Sequence, residues 1–384
     1  MSCKPDNHLS ARVSKPMISP RFGFSLLFGL IFLVVLPACI SEPSEILQDP
    51  KPPLESPQIT AAIPTPSTAQ TQSPYEISEE AMAYINEALE FMQEYSINKE
   101  TIEWDALRTR TYQRAFGAQT IPETYQAIQY ALADLGTNHS YLMTPEQVAQ
   151  MEDGTLAGSI PGPEGKLMEG SLAYIYLPSW AGSRELANAQ AAAIQQIILE
   201  LDAQDPCGWI LDLRENNGGA MWPMLAGIGP ILGDGIVGYA IAPDGSTDEF
   251  SYRDGQALLN GEVETEVLGE AYYLSEPLPT VAVLTGPSTA SSGEAIAIAF
   301  RGRPATRSFG RLTAGLSTGT TEIELSDGAW LILAINTFAD RTGGTYGWKV
   351  VPDEIVHQSQ DDGDAVLLAA VEWLQQQPAC DFED

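Results

Sequence analysis

Apolar positions in the first half of the chain recur with helical spacing. After Ser78, Met82, Ile85, Leu89 and Met92 fall on one face, and similar stretches follow over Trp104 to Phe116 and Pro122 to Leu135. Ser78 is a suitable N-cap for the first of these helices. A Gly/Pro-rich passage from Gly154 to Gly170 then separates them from a different pattern. There a strand is predicted over Leu172 to Leu177, a helix over Glu185 to Leu201 with Ile194, Ile198 and Leu201 in register, and a strand over Trp209 to Leu213. The alternation argues for βαβ units and a largely parallel sheet.

Further on, a loop and a helix are expected after Gly219, a strand over Val281 to Leu284, and a helix after Ser291. Thr321 to Leu325 and Ala329 to Ile335 flank Ser326-Asp-Gly328 and read as a hairpin. Asp364 through Leu374 reads as a closing helix with Ala365, Leu368, Val371 and Leu374 on one side. The class is α/β, with helical residues 75–150 ahead of a core over 170–380.

The N-terminus changes the cellular picture. Lys4, Arg12, Lys15 and Arg21 precede an apolar run from Phe22 to Ala38, which closes on Leu36-Pro37-Ala38-Cys39. Residues 1–39 thus read as an export signal of lipoprotein type, with Cys39 as the lipidated residue and the bacterial cell membrane as the anchor. The run is shorter than the ~20 residues that comfortably span a bilayer, although an uncleaved anchor is the alternative. Residues 40–74 carry eight prolines among many Ser, Thr and Gln, a composition that forms a flexible tether. The remainder is expected outside the cytoplasm.

Nineteen basic against 51 acidic residues give a net charge of −32, which repels phosphate backbones and excludes nucleic acid as a partner. Beyond the leader only Cys207 and Cys380 remain, a pair open to forming one disulfide or two free thiols in an oxidising compartment. With three histidines in the whole chain and no CxxC, neither a metal site nor a cofactor is expected.

Three segments stand out as carriers of chemistry. Gly286-Pro-Ser-Thr-Ala-Ser291-Ser292-Gly293-Glu294 joins an expected buried strand to a helix, where an exposed hydroxyl would lie beside backbone N–H groups at a helix N-terminus. The plainer reading is an N-cap. Asp212-Leu-Arg214-Glu-Asn216-Asn-Gly218-Gly219 occupies the same kind of strand end, and its glycines let amides approach a ligand; a simple turn with an Asp212/Arg214 ion pair is the alternative. The third, Gly136-Thr-Asn-His139-Ser140, ends the helical region. His139 is either a helix-end polar residue or the base that a serine nucleophile requires.

Together these segments resemble the C-terminal-processing (tail-specific) serine peptidases, in particular their tricorn-like and retinoid-binding-protein-like branch. The Asp-Leu-Arg-x-Asn-x-Gly-Gly signature stands as Asp212 to Gly219, the serine turn as Thr289 to Glu294, and the His-Ser element as His139-Ser140. Val351-Pro352-Asp353 is a weaker echo of the family's Pro-Asp segment. The resemblance implies a crotonase-like core of ββα units behind a small all-helical N-terminal subdomain, and hydrolysis of peptides or unfolded proteins through an acyl-enzyme. It makes Ser291 the nucleophile and His139 the general base. The oxyanion hole falls to the Ser292 N–H with that of Gly218 or Gly219, and Asp212, Arg214, Asn216 and Glu294 support the site.

Two departures narrow the branch. Where many relatives carry a lysine base this chain has Thr313-Ala-Gly-Leu316, and where the tricorn-like branch has a glutamate it has Tyr346. The residue orienting His139 is therefore unassigned. The interval from Tyr141 to Ser171 is too short for a PDZ module. A homologue that binds peptides or apolar ligands without cleaving them is the rival, and esterase action a third reading.

Overall fold

The computed structural model describes residues 76–152, 161–182, 184–357 and 363–380. The leader, Cys39 and the tether lie outside the described residues. Among the described residues no helix is long and apolar enough to cross a membrane.

The mixed α/β class expected from the sequence is present, built on two sheets. The first has six strands in the order β13-β10-β9-β4-β3-β2. Its centre is β4 (Gly208–Asp212) beside β9 (Val281–Thr285), both buried at every position, with β3 (Leu172–Tyr176) and β10 (Thr306–Gly310) flanking them in parallel. Continuous apolar runs are what a parallel strand covered on both faces requires. The edges are β2 (Glu164–Met168), antiparallel to β3, and the short β13 (Glu354–Ile355).

The six-stranded sheet is the largely parallel one expected, and a second sheet that was not foreseen stands beside it. The second is antiparallel, ordered β1-β12-β5-β6-β7-β8, with β11 also paired to β12. Its strands are β1 (Tyr141–Met143), β5 (Gly235–Ile241), β6 (Thr247–Arg253), β7 (Gln256–Leu259), β8 (Glu262–Glu266), β11 (Thr318–Glu324) and β12 (Trp330–Asp340). Of the missed strands, β6 to β8 carry a readable signal in the turns that join them, Asp254-Gly255 and Asn260-Gly261. Both residues of each pair have positive φ, 51° and 79° in the first and 51° and 82° in the second, the geometry of a two-residue hairpin turn.

Between the sheets lie α5 (Arg184–Asp202), α6 (Met221–Leu232) and α7 (Ser292–Ala299), which share one core with residues of both sheets. All twelve residues of α6 are buried, as an all-apolar helix demands. On the far face of the six-stranded sheet α8 (Ala365–Gln375) packs over Leu172, Ile210, Leu284 and Phe309.

Helices α1 (Glu79–Tyr95), α2 (Trp104–Arg114) and α3 (Tyr125–Ala133) enclose their own apolar cluster, but Leu325, Ala329, Leu331 and Leu333 of the β11–β12 hairpin complete it; α4 (Pro145–Glu152) follows β1. Tyr84 and Tyr125 both donate to the Asp327 carboxylate in the hairpin turn, at 2.8 and 2.5 Å. The helical segment and the antiparallel sheet thus share apolar packing.

Cys207 and Cys380 form a disulfide that closes a 173-residue separation, Cα to Cα 4.9 Å, and ties the chain's end to the start of β4. Restricting so long a loop in the unfolded chain stabilises the fold by about 2–5 kcal/mol. Reduction is expected to lower the urea midpoint of the full chain correspondingly, and a midpoint indifferent to reductant contradicts this.

Candidate active site

Strands β4 and β9 are parallel neighbours, so the turns leaving their C-terminal ends lie side by side. Such ends are where ligands collect on parallel sheets. One turn runs from Asp212 to Gly219 into α6, the other from Gly286 to Ser291 into α7. Asn216 joins them. It is fully buried, its Nδ2 donates to the Leu177 and Pro178 carbonyls at 3.1 and 3.0 Å, and its own carbonyl accepts the Ala290 N–H at 2.9 Å. Thr289 adds a second link, donating through Oγ1 to the Leu213 carbonyl at 2.8 Å.

Ser291 has φ 52° and ψ −119°, a conformation costly for a residue with a side chain. It is partly exposed, whereas Ser292 is buried with its hydroxyl donating to the Gly219 carbonyl. The neighbouring Gly218 packs so tightly that a Cβ there would meet Ser291 Cβ at 2.8 Å, and its φ of 108° also disfavours any side chain. Gly218 donates its N–H to Asn216 Oδ1 at 3.0 Å, so that amide is committed to the turn. The Ser292 N–H is the first of α7 and lacks an intrahelical acceptor. Among the described residues the Gly219 N–H has no acceptor either.

Glu294 holds the serine turn in place. It is wholly buried and accepts from the Ser291 N–H at 3.1 Å, the Gly315 N–H at 3.1 Å, the Leu316 N–H at 2.6 Å and the Thr313 hydroxyl. Burial pushes its carboxyl up, against the lowering effect of these donors. Thr313 in turn accepts from the Val350 N–H at 2.7 Å, which orients its hydroxyl hydrogen toward Glu294.

Two residues beyond Leu316 the chain reaches Thr318, whose Oγ1 lies 2.8 Å from His139 Nδ1. His139 is buried just ahead of β1, where Ser140 Oγ accepts the Ala334 N–H of β12 at 3.0 Å. Desolvation lowers the imidazole pKa to about 4, opposed by a hydrogen bond to the Thr318 backbone rather than to its hydroxyl. With Nδ1 facing Thr318, Nε2 is the nitrogen left for proton transfer. Among the described residues no hydrogen bond links Ser291 Oγ to His139. The chain's third histidine, His357, is exposed beyond β13.

Asp212 and Arg214 stand behind the site. Arg214 grips the Asp212 carboxylate at 2.6 Å and that of Asp364, the N-cap of α8, at 2.7 and 2.8 Å; Asp212 also accepts from Tyr174 at 2.8 Å. Burial opposes the Arg214 charge, but the two carboxylates raise its pKa overall. This is the ion pair of the plainer sequence reading, extended to a third residue. Asp353 is likewise structural, accepting from the Ser308 N–H and hydroxyl at 2.8 and 2.7 Å. Tyr346 donates to Asp340 at 2.8 Å.

Sequence reasoning missed Thr313 and Thr318. The Thr313-Ala-Gly-Leu316 stretch was weighed only as the place of an absent lysine, and its contribution is chiefly backbone N–H groups, which no residue type announces. Among the described residues no group of three or more His, Cys, Asp and Glu could hold a metal ion.

The chain is 26% identical over 299 residues to a nisin-resistance protein of Lactococcus lactis subsp. lactis, covering 77% of this chain and 87% of that one. Its fold is similar to that of a lipoprotein from Streptococcus agalactiae, with a TM-score of 0.64, 24% identity and coverage of 78% of this chain and 98% of that one. It is also similar to a photosystem II D1 C-terminal processing protease, with a TM-score of 0.52, 17% identity and coverage of 73% and 94%. Residues 171–356, which contain both turns and every donor to Glu294, match peptidase family S41. Over those residues the chain is similar to peptidase family S41.

Proposed function

We propose that this chain is an extracytoplasmic serine peptidase with a crotonase-like core, held to the bacterial membrane through a lipid on Cys39. Ser291 Oγ attacks the scissile carbonyl carbon while His139 Nε2 accepts its proton; the C–N bond then breaks as His139 returns the proton to the leaving amine. Water hydrolyses the Ser291 ester by the same groups in reverse roles. The Ser292 and Gly219 N–H groups donate to the developing oxyanion, a contribution of about 3 kcal/mol per donor. Thr318 is the positioning residue for His139, taking the place of an orienting carboxylate.

The conformation of Ser291 is the observation that best supports this reading. A non-glycine residue at φ 52° and ψ −119°, wedged against Gly218 and clamped by Glu294, is strained in the way that nucleophile turns are. The rival reading is a homologue that binds peptides without cleaving them. It draws on the hydroxyl partner of His139, which stabilises an imidazolium less than a carboxylate does.

The family supports a peptide or protein substrate. Because one relative is a nisin-resistance protein, nisin is a reasonable first peptide to assay beside unstructured chains.

A small fluorophosphonate is expected to form an adduct on Ser291 of the full-length protein. Ser291→Ala should abolish it, and His139→Ala should slow it by roughly 10²–10⁴. An adduct on Ser292, or none on a folded protein, refutes the assignment. Since the His139 pKa is lowered to about 4, the base stays neutral as the pH falls below the usual imidazole value near 6.5. The acid limb of kcat/KM is therefore expected at pH 4–5, and a limb at 6.5 or above contradicts it. Thr318→Ala should cut kcat roughly tenfold or more with KM little changed, and Thr318→Ser should restore it; equal loss in both variants would mean that Thr318 serves only packing.

A further inference from the structure

A recess opens to solvent beside the serine turn. Its walls include Ser292, Gly319 and Met221-Trp222. Ser292 is the residue after Ser291, Gly319 the residue after Thr318, and Met221-Trp222 the first turn of α6 after Gly219 and Ala220. Each element of the proposed machinery therefore continues directly into a wall of this recess.

The lining is apolar and aromatic. Trp222 meets Phe250 edge to face at 5.5 Å between centroids, and Phe250 meets Phe338 at 6.0 Å, so the walls are mutually braced rings. Leu259 and Thr320, both half-buried, also line it. A second, smaller space shares Met221, Phe250 and Phe338 and is also lined by Leu225, Val237 and Ile298. The apolar lining thus extends beyond the recess. The one carboxylate on its walls is Asp248, which accepts from Asn260 at 2.8 Å, and the chain's net charge is −32. No cation lines the recess to receive an acidic side chain.

We propose that this recess selects the substrate residue on the acyl side of the scissile bond, and that it takes long apolar side chains, leucine, methionine or phenylalanine, over alanine and over acidic residues. The inference rests on the peptidase reading, since it places the recess beside the carbonyl that Ser291 attacks. Each methylene that such a pocket buries favours the longer side chain by roughly tenfold or more. Thr320, at the irregularity between Gly319 and Thr320 in the β11–β12 pairing, is placed to control its width.

The test uses the full-length protein and peptidyl diphenyl phosphonates that differ only in the residue next to phosphorus: leucine, phenylalanine, alanine or glutamate. The readout is the ratio of labelling rates within each protein. Leucine is expected to exceed alanine at least tenfold and glutamate further. In Thr320→Phe, which fills the recess, the leucine-to-alanine ratio should fall to one or below, and in Leu259→Ala, which widens it, the optimum should move toward phenylalanine. Preference for alanine in the wild type, or ratios unmoved in both variants, overturns the proposal. A fluorophosphonate without a peptide reads Ser291 separately. If it fails to label, the nucleophile assignment falls, and the recess is then read without catalysis by ligand-observed NMR of N-acetyl-leucinamide against N-acetyl-alaninamide. Selective contact with the leucine amide that Thr320→Phe removes supports the recess, and equal signals overturn it.

Discussion

The site depends on one buried carboxylate. Glu294 is taken wholly out of water with no cation at its side, a step that costs several kcal/mol unless the charge is fully hydrogen-bonded. Three backbone N–H groups and the Thr313 hydroxyl meet that requirement. The consequence is mechanical. Ser291 is fixed at the head of α7, and the loop 313–316 is fixed against it. Because the same loop runs into Thr318, the position of His139 is set by its distance along the chain from the Glu294 clamp.

The serine turn and the histidine come from different layers. The turn rises from β9 in the parallel sheet, while His139 precedes β1 on the antiparallel sheet, among strands that also carry the core of α1 to α3. The all-buried helix α6 fills the space between the sheets and starts at the glycine turn, which packs directly on the serine turn. Packing faults in either layer would therefore be felt as misalignment at the site, since close-packed interiors transmit strain. Arg214, bridging Asp212 and Asp364, anchors α8 to the same strand end from the far face.

Burial also shapes the chemistry. An imidazole without a carboxylate is most cheaply buried neutral, which suits a base and makes its protonated form costly. The mainly apolar recess beside Ser292, though open to solvent, adds to that apolar surrounding.

Much of this was readable in the chain. The unbroken apolar runs of β4 and β9 announce buried parallel strands, the spacing of Met82, Ile85, Leu89 and Met92 announces α1, and the Asp212 to Gly219 and Thr289 to Glu294 segments announce the two turns, because local periodicity and turn chemistry act over a few residues. Even the hairpins of β6 to β8 are written in Asp254-Gly255 and Asn260-Gly261, although their strands are short and half-polar and so show little periodicity. Tertiary structure alone decided which hydroxyl, Ser291 or Ser292, faces outward, that the Gly218 amide is spent on Asn216, that Glu294 binds a loop twenty residues downstream, and that a threonine stands where a carboxylate was sought beside His139. Apart from the local Gly218–Asn216 bond, those are contacts between distant segments, several of them made by backbone amides, and every non-proline residue carries an amide N–H, so composition and spacing hold no record of them.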